Sequence, residues 1–587
     1  MKRHSFIKMS ALAMLAPLGN DLFARAIPAK SFLSEDDIFK RMVVANDAQV
    51  DSLLQTVSVA NFNFGRKAGF DFATLTASYC YSGSKHFQNP LIVPKLEILI
   101  QELTKFQTED GTVNVGNLES PPDTAFLLEP LSAAAFLLVK NNANETTNVN
   151  LQLKAFIIKA ADALATGGVH TPNHRWVICA ALARVHKVYP DKKYSNRIED
   201  WLGEGIYMDS DGHYPERSRI YSGVENNSLL TMGRLLNKPS LFEPVRKNLI
   251  ATYYYMDPNG ELVTTDSRRQ DQYMTKTIVS YYLHYRFLAI KDNNNNLAGI
   301  AKLIEQMNGF EDEVMNRSLF LFLEDELLQQ PLPVAVAPPV NYEKYFTTSQ
   351  LVRIRRDKTT ATIFGGADWP IIIASGRSNS PNFYAYRKGN AVLKFMRLSS
   401  AFFGMGYFYS EGIKKEGNKY ILHKKLMVPY YQPLPKSKRK VNGDYTLSPS
   451  IDDRFWNKMD FKARPVSNVK TLDTTITFAE NGTTNELTFL VSGLKGVAVT
   501  IELCFAEGGK LTGVTEAKDG NSFLENGMGK YESGEDSIQF GPGAVTHKTI
   551  TNLEGERYST HFGTLHTKGM YVYITGTTPF THTLVFS

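Results

Sequence analysis

The chain has 587 residues and a mass of 65.8 kDa, and its hydrophobic fraction of 43 % and charged fraction of 21 % are those of a globular protein. These values, and the lack of any apolar run near ~18 residues, exclude disordered, collagen-like and integral membrane proteins. The net charge of +6, from 65 Lys and Arg against 59 Asp and Glu, is too even for a nucleic-acid-binding protein.

The N-terminus has the pattern of a secretory signal peptide. Met1–Lys8 is basic, Met9–Leu18 is apolar, and Ala24–Ala26 matches the small-x-small rule for cleavage. We therefore expect residues 1–26 to be a signal peptide, with a mature chain that begins near Ile27 and works in the periplasm or outside the cell. The alternative is an amphipathic start to the folded domain.

Residues 27–330 show the periodicity of amphipathic helices, with apolar residues at i, i+3, i+4 and i+7. Ser34, followed by three acidic residues, is predicted to cap the first helix. Short loops and the absence of a fixed-period repeat favour stacked helical hairpins that form an (α/α) toroid, an incomplete barrel, over a regular solenoid. Further helices are predicted at 93–108, 123–140, 150–165, 173–188, 194–206, 224–236, 240–255, 272–290 and 312–329.

A second domain is predicted after a Pro-rich linker at residues 331–344. The run from Pro331 to Pro339 cannot continue a helix, and after it the hydrophobic period changes from 3.6 to 2. We therefore expect a C-terminal antiparallel β-sandwich domain at residues 345–587, and a multidomain α plus β fold for the whole chain. Predicted strands include 361–364, 391–395, 474–478, 486–491, 498–502 and 570–574.

A basic run lies inside the β half, at Lys436, Lys438, Arg439 and Lys440. Such a run is typical of a solvated loop. Contact with an acidic glycan is the alternative interpretation.

The first candidate site patch is Thr171–Trp176, which precedes an apolar run. Thr171 suits the N-cap of a helix and Pro172 its first position, so Asn173 and His174 are predicted to lie in the first turn. Free backbone N–H groups and the helix dipole attract anions there, and a carboxylate-bearing substrate fits this position. A capped helix with a surface His is the simpler alternative.

The second patch runs from Asp211 to Tyr221 and leads into Ser222–Glu225, which has the sequence of a capping box. This spacing predicts that Tyr221 precedes the N-cap and projects from the mouth of a helix. His213, Arg217 and Arg219 lie within eight residues of it, and such cations favour its phenolate form.

The third patch, Thr264–Gln272, is expected to precede a helix that starts near Tyr273. Its paired Arg268 and Arg269 could hold a carboxylate through two hydrogen bonds each. In a toroid, alternate loops lie at the same rim, so the three patches are expected to meet at one cleft. A solvated loop with local salt bridges is the alternative for this patch.

These motifs resemble those of the toroid-type polysaccharide lyases, notably heparinase II/III-like enzymes and their alginate and chondroitin lyase relatives. The shared order is Asn-His at a helix start, then the Asp-Gly-x-x-x-Glu-x-Ser-x-x-Tyr pattern of Asp211–Tyr221, then an all-β half. The resemblance covers the mature chain in architecture and only these short motifs in sequence. It implies β-elimination at a uronic acid: the C6 carboxylate is neutralised, a base removes the C5 proton, and an acid protonates the leaving O4.

The resemblance places Tyr221 and His174 on the family's catalytic Tyr and His, and Asn173 on its carboxylate-neutralising Asn. Which of Tyr221 and His174 is the base stays open. Tyr chemistry suits the reaction, because one phenol can remove the C5 proton and return a proton to O4 on the same side of the ring. The residues predicted to bind substrate are Arg175, Trp176, His213, Tyr214, Glu216, Arg217, Arg219, Arg268, Arg269, Gln270, Tyr384 and Arg387.

The sequence departs from the family at the start of the β half. Several heparinase-type enzymes have a His-rich segment there, whereas Ser380–Arg387 contains no His. Either Tyr384, Tyr386 or Arg387 replaces it, or the β domain contributes only to binding. The Arg-rich third patch also suggests a different pocket, so the substrate need not be heparin, alginate or chondroitin. The best substrate prediction is the rhamnose-capped glucuronate of arabinogalactan.

Two other classes of function remain open. An inverting glycoside hydrolase needs two carboxylates roughly 6.5–9.5 Å apart, and a non-catalytic glycan-binding protein could use the abundant Tyr and Phe for stacking on sugars. The candidate hydrolase carboxylates are Glu204, Asp209, Asp211, Glu216 and Glu225.

No cofactor is predicted to be required, and the expected partner is an acidic, uronate-containing polysaccharide, with no nucleic acid and no integral membrane segment. The separated residues Cys80, Cys179 and Cys504 predict buried thiols rather than disulfides or a zinc site. His561 and His566 are interpreted as surface residues, and a structural divalent cation held by dispersed ligands stays open.

Overall fold

The computed structural model describes residues 38–587 apart from 367, 369–379, 451–455, 518–520, 549 and 551–567. The predicted signal peptide, the Ser34 cap, His561 and His566 therefore lie outside the described residues. The chain forms two compact units. The first runs to Leu262 and continues over Lys276–Pro339, and the second combines Val263–Thr275 with Val340–Ser587.

The first unit is helical. Its longest connection without an α-helix lies between α9 and α10 and includes the segment that belongs to the second unit. The α-helices in the described part of the chain are α1 (Ile38–Thr56), α2 (Arg66–Cys80), α3 (Ile92–Lys105), α4 (Pro121–Asn141), α5 (Thr147–Thr166), α6 (His174–Val188), α7 (Lys192–Gly203), α8 (Arg219–Leu235), α9 (Phe242–Tyr254), α10 (Tyr282–Lys291), α11 (Asn295–Ile304) and α12 (Leu319–Glu324).

Alternate helices form two layers. Helices α2, α4, α6 and α8 pack against one another in that order, and α3, α5 and α7 pack in a second row. Burial follows this division: every residue of α6 from Trp176 to Val185 is buried, whereas α7 buries only Tyr194 and Ile198. A helix that is apolar on all sides belongs in an inner layer and one with a narrow apolar stripe in an outer layer.

The last helix returns to the first ones. Helix α12 packs against α1, α2 and α4, and the buried carboxylate of Glu324 at its end pairs with Arg184 of α6 and Arg234 of α8. Although burial opposes ionisation, these two guanidinium groups lower the pKa of Glu324. The last α-helix of the unit is therefore joined both to the first helices and to α6 and α8.

Helix α4 is long and apolar enough to cross a membrane by length and composition alone. However, 78 % of its most apolar window is buried inside the protein. Helix α4 packs between α2 and α6, and its apolar residues are buried because it is a core helix.

Most predicted helices are confirmed, with shifts of a few residues at their ends, but three differences stand out. Helices α2 and α11 were not predicted. The expected helix over 272–290 is replaced by two 3₁₀ turns, Gln270–Tyr273 and Ile278–Tyr281, and then α10. The expected helix over 312–329 is broken into a π turn, α12 and a 3₁₀ turn, because short segments pack in different directions against the ring.

The second unit contains two large sheets. One has the strand order β1-β2-β3-β4-β5-β12-β18-β15-β14 and the other β13-β16-β17-β19-β11-β10-β7-β6. Their strands are β1 (Asn341–Phe346), β2 (Leu351–Arg356), β3 (Thr359–Phe364), β4 (Tyr384–Lys388), β5 (Ala391–Ser400), β6 (Ile413–Glu416), β7 (Lys419–Tyr431), β10 (Val466–Asn481), β11 (Thr484–Gly493), β12 (Ala498–Phe505), β13 (Lys510–Thr512), β14 (Thr515–Glu516), β15 (Ser522–Phe523), β16 (Gly529–Ser533), β17 (Asp536–Gly541), β18 (Met570–Thr577) and β19 (Phe580–Phe586). The short pair β8 (Ser448–Pro449) and β9 (Trp456–Asn457) stands apart from both sheets.

The two sheets share one apolar core. Ile354 and Ile501 of the first sheet lie in the same buried cluster as Leu422 and Ile476 of the second. The described pairings are antiparallel except for the parallel contact of β15 with β18. The predicted antiparallel β-sandwich is therefore confirmed, and each of the predicted strand segments lies within a strand.

Candidate active site in the helical unit

The first patch lies at the start of α6, but its cap differs from the prediction. The helix begins at His174 rather than at Pro172, and Thr171 accepts the His174 N–H through its backbone carbonyl at 3.2 Å. Asn173 occupies the N-cap position with helical backbone angles and makes no capping bond. Thr171 is therefore not the N-cap, and its Oγ1 accepts a hydrogen bond from the Asn173 side chain instead.

Asn173 is hydrogen-bonded to the second patch. Its Nδ2 donates to Oε2 of Glu216 at 2.6 Å and to Oγ1 of Thr171 at 3.3 Å, and both Asn173 and Glu216 are buried. A hydrogen bond to a buried charged group is among the stronger ones in proteins. The start of α6 is thereby tied to the segment that leads into α8.

The second patch also begins its helix earlier than predicted. Ser218, not Ser222, is the N-cap of α8, and its Oγ accepts the N–H groups of Ile220 at 3.2 Å and Tyr221 at 3.1 Å. Arg217 takes a left-handed conformation with φ 45°, which turns the chain into this cap. Tyr221 is therefore the third residue of α8 and lies in its first turn, where it is half-buried.

Glu225 is consequently an interior residue of α8 rather than part of a capping box. It is fully buried, and neither carboxyl oxygen has a hydrogen-bond partner among the described residues. Burial, together with the neighbouring Glu216 and against the pull of Arg175, raises the pKa of Glu225 well above its usual range. Its environment therefore favours the neutral form of the carboxyl.

His213 and Arg219 form a buried support beneath the start of α8. Arg219 Nη1 lies 3.4 Å from His213 Nδ1, and His213 Nε2 lies 3.1 Å from the Tyr255 hydroxyl. Because a guanidinium can only donate, Nδ1 is the acceptor and Nε2–H the donor to Tyr255. Arg219 also stacks 3.9 Å over the Tyr255 ring, and Tyr281 donates to the Arg219 carbonyl at 2.5 Å.

Tyr214 is an internal anchor of the 210–217 loop. Its hydroxyl donates to Asn226 at 2.9 Å, Asn226 donates to Asn248 at 2.8 Å, and Asn248 donates to the Gly212 carbonyl at 3.0 Å. Burial raises the pKa of Tyr214 well above its usual range, so the phenol stays neutral. This chain of bonds joins the loop to α8 and α9.

His174, Arg175 and Trp176 occupy three different environments. The half-buried His174 ring meets the His170 ring edge-on at 4.7 Å. Arg175 pairs with Glu204 at 2.7 Å and stacks 4.6 Å over Trp176. Trp176 is only 1 % exposed, so its ring belongs to the core and offers no face to a sugar.

The third patch belongs to the second unit and is held within it. Arg268 is bound through Nε at 2.6 Å and Nη2 at 2.8 Å to the two carboxylate oxygens of Asp368. Arg269 is buried, and its Nε lies 3.3 Å from Gln270 Oε1. The expected helix from Tyr273 is wrong, since the next α-helix begins at Tyr282. The predicted meeting of this patch with the other two stays a prediction.

The β4 residues predicted to bind substrate are buried in the sandwich. Tyr384 is 1 % exposed, and burial raises its pKa well above the usual range. Arg387 is buried and lies opposite Thr360 of β3 and Val392 of β5. Neither side chain presents a surface to a ligand in this structure.

The predicted site residues of the helical unit thus differ in solvent exposure. His174 and Tyr221 are half-buried at the starts of α6 and α8 and can reach a ligand. A second set is buried and supports them: Asn173, His213, Tyr214, Glu216, Arg217 and Arg219. Tyr255, Tyr281, Asn226 and Asn248 complete this support, and sequence reasoning missed them because each acts only through a tertiary contact.

No group of three or more His, Cys, Asp or Glu side chains among the described residues is arranged to hold a metal ion. The expectation that no cofactor is required stays a prediction. All three cysteines are free thiols, and burial raises the pKa of Cys80 to about 12 and that of Cys504 to about 11.

No protein-family model matches the chain, and no curated protein sequence matches it. Solved structures do. Heparinase III is 11 % identical with a TM-score of 0.52, over 99 % of this chain and 89 % of that one. Chondroitin AC lyase from Streptomyces coelicolor A3, in complex with chondroitin sulphate, is 11 % identical with a TM-score of 0.52. That match covers 99 % of this chain and 82 % of the chondroitin lyase.

A xanthan lyase from Paenibacillus is 10 % identical with a TM-score of 0.54. The match covers 100 % of this chain and only 59 % of the xanthan lyase. At such low identity the shared property is the fold. The predicted fold class, a helical toroid followed by antiparallel β-sheets, is therefore confirmed, and it is the fold of the toroid-type polysaccharide lyases.

Proposed function

We propose that the chain is a polysaccharide lyase that cleaves a glycosidic bond at a uronic acid by β-elimination. The observation that carries this proposal is the Asn173–Glu216 hydrogen bond, which brings the N-termini of α6 and α8 together. Each N-terminus carries partial positive charge from its helix dipole, so a substrate carboxylate is favoured between them. Solved structures with the same fold include heparinase III, a chondroitin AC lyase and a xanthan lyase. Their names support lyase chemistry on a polysaccharide here.

The proposed reaction uses the two half-buried side chains. Tyr221, held in the first turn of α8 by the Ser218 cap, and His174, at the first position of α6, exchange protons with C5 and O4 of the substrate. Elimination needs stabilisation of enolate-like charge on the C6 carboxylate, which the two helix termini and Arg175 supply.

In this proposal Asn173 supports the active site without touching the substrate. Its amide is buried and already donates to Glu216, so it fixes the turn that carries His174 rather than reaching outwards. Its predicted contact with the substrate carboxylate would require the 171–173 turn to move. No cofactor takes part in the proposed steps.

Burial of Glu216 and Glu225, two of the five candidate carboxyl groups, supports elimination over hydrolysis. Glu216 and Glu225 lie at the centre of the motif, and an inverting hydrolase needs two carboxyl groups that reach the glycosidic oxygen and a water molecule. Both are shielded from solvent, and Glu225 is the more deeply buried of the two.

The finer proposal is that the substrate is the rhamnose-capped glucuronate of arabinogalactan and that the protein is exported. The absence of a His-rich segment at Ser380–Arg387 supports a substrate different from those of heparinase-type enzymes. The basic and apolar N-terminal segments support export.

The test is the ultraviolet absorbance of a C4–C5 unsaturated uronate, measured on a panel of gum arabic, heparan sulfate, chondroitin sulfate and alginate. We expect absorbance to rise with the wild type and to fall at least 100-fold in rate with Tyr221→Phe. Tyr207→Phe is the matched control, because Tyr207 is in the same unit and 61 % exposed. Reducing ends released without absorbance would overturn elimination in favour of hydrolysis.

A further inference from the structure

The connection between β7 and β10 is far longer than the sheet requires. These strands pair along their whole length, from Val466 opposite Tyr431 to Ala479 opposite Lys419, and a short turn joins antiparallel neighbours in most proteins. Here 34 residues, 432–465, lie between the two strands; we name them the 432–465 excursion, and the structure describes 432–450 and 456–465 of them. Its base is closed by the Gln432 N–H donating to the Pro465 carbonyl at 2.8 Å.

The excursion concentrates positive charge. It contains eight Lys or Arg and four Asp, an excess of four in a chain whose net charge is +6. The basic run from Lys436 to Lys440 is fully exposed. Lys458 is tethered to Asp444 at 2.5 Å, and both of these side chains are largely exposed as well. The excess of cations attracts a polyanion, and salt screens that attraction.

The excursion also exposes apolar surface. Trp456 is 63 % exposed, and Leu447 and Val441 are exposed elsewhere in the same segment. On the adjoining sheet, Met427 and Val469 are exposed on neighbouring strands, with Val469 opposite Pro429. Large exposed apolar side chains grouped in this way mark a binding surface.

Trp456 is held in place rather than left on a free loop. It lies in β9 opposite Pro449 of β8, and Asn457 Oδ1 accepts the Met459 N–H at 2.9 Å. Arg464 then donates to the Met459 carbonyl at 2.6 Å and lies 3.4 Å from the Gln432 carbonyl at the base. An exposed indole on a backbone held in this way, two residues before Lys458, is suited to stacking on a sugar ring whose carboxylate pairs with a cation of the same segment.

We propose that the described parts of the 432–465 excursion, residues 432–450 and 456–465, carry a second binding site for acidic polysaccharide, made of residues distinct from those of the candidate active site. Trp456 stacks on a sugar ring, and exposed cations of the run from Lys436 to Lys440 pair with uronate carboxylates. Charge complementarity selects an acidic chain over a neutral one, and the choice of a uronate polymer rests on the proposed function.

Binding is measured by affinity electrophoresis with polygalacturonate as the acidic probe and dextran as the neutral one. All proteins carry Tyr221→Phe so that cleavage does not deplete the probe. We expect polygalacturonate, and not dextran, to retard the protein. Trp456→Ala is expected to weaken binding about fivefold, and the double change Lys436→Gln and Lys438→Gln is expected to reduce both affinity and its salt dependence.

Tyr207→Ala is the matched control, because Tyr207 is as exposed as Trp456 but lies in the helical unit. Unchanged binding by a folded Trp456→Ala protein would overturn the proposal, and so would a concentration-dependent dimer that Trp456→Ala abolishes, since the occupant would then be a second copy. Wild type without absorbance change on any glycan, but with Trp456-dependent retardation, would refute the lyase proposal and leave this site standing.

Discussion

Asn173 Nδ2 and Glu216 Oε2 lie 2.6 Å apart although 43 residues of sequence separate them. The bond is buried, and it connects the residue before α6 with the loop before α8. It fixes the relative positions of His174 and Tyr221, the two half-buried side chains of the proposed reaction, since each follows its partner in the bond by only a few residues.

The first prediction concerns this bond. Asn173→Ala leaves Glu216 buried with one donor fewer, so we expect the free energy of unfolding to fall by about 2 kcal/mol. Urea denaturation measures the loss. In a Glu216→Gln background the same change should cost less, because a neutral acceptor makes a weaker bond. Equal losses in both backgrounds would show that the two side chains are not coupled.

The second prediction follows from the raised pKa of Glu225, which has burial as its main cause. Below pH 4.5, the ordinary pKa of the group, the carboxyl is neutral in both the folded and the unfolded chain. As the pH rises above that value, only the unfolded chain ionises, so the folded protein loses up to about 1.4 kcal/mol per pH unit until its own pKa is reached.

Glu225→Gln removes this loss. We expect the variant to match the wild type near pH 4 and to become increasingly more stable than the wild type as the pH rises above 4.5, as measured by thermal unfolding at each pH. Glu109→Gln, at an exposed glutamate, is the control and should show no such trend. Parallel pH curves for wild type and Glu225→Gln would contradict a neutral buried acid.

The third prediction compares two glycines with positive φ. Gly212 has φ 90°, and a Cβ there would lie 2.9 Å from the Lys247 carbonyl oxygen, whereas Gly205 has φ 79° and open space around it. Gly205→Ala should cost about 1 kcal/mol for the left-handed backbone, and Gly212→Ala about 2 kcal/mol more for the clash. Urea midpoints of the two variants measure the difference, and equal midpoints would show that the loop yields at Gly212.

Local patterns were enough to predict most elements. The alternating burial of β10 and β11 follows from a side-chain period of 2, and the uniformly apolar run of α6 predicts a helix buried on all sides; both are properties of neighbouring residues. The change of period after Pro339 likewise separates the helical from the β-rich part of the chain.

Helix starts were harder, because two serines compete for the same role. Ser218 and Ser222 both suit an N-cap, and Ser222 with Glu225 matches the capping box. The left-handed backbone of Arg217 and the buried contacts of Tyr214 and Arg219 select Ser218. None of these contacts is visible in the local sequence.

The amino-acid sequence by itself determined the two-part fold and the motifs that carry the candidate chemistry, because hydrophobic period and residue type are local properties. Only the tertiary structure decided which motif residues are exposed and which support them. Burial of Trp176, His213 and Tyr384 arises from packing by residues that are distant in sequence, and the pairing of Asn173 with Glu216 depends on two helix starts that the toroid brings together.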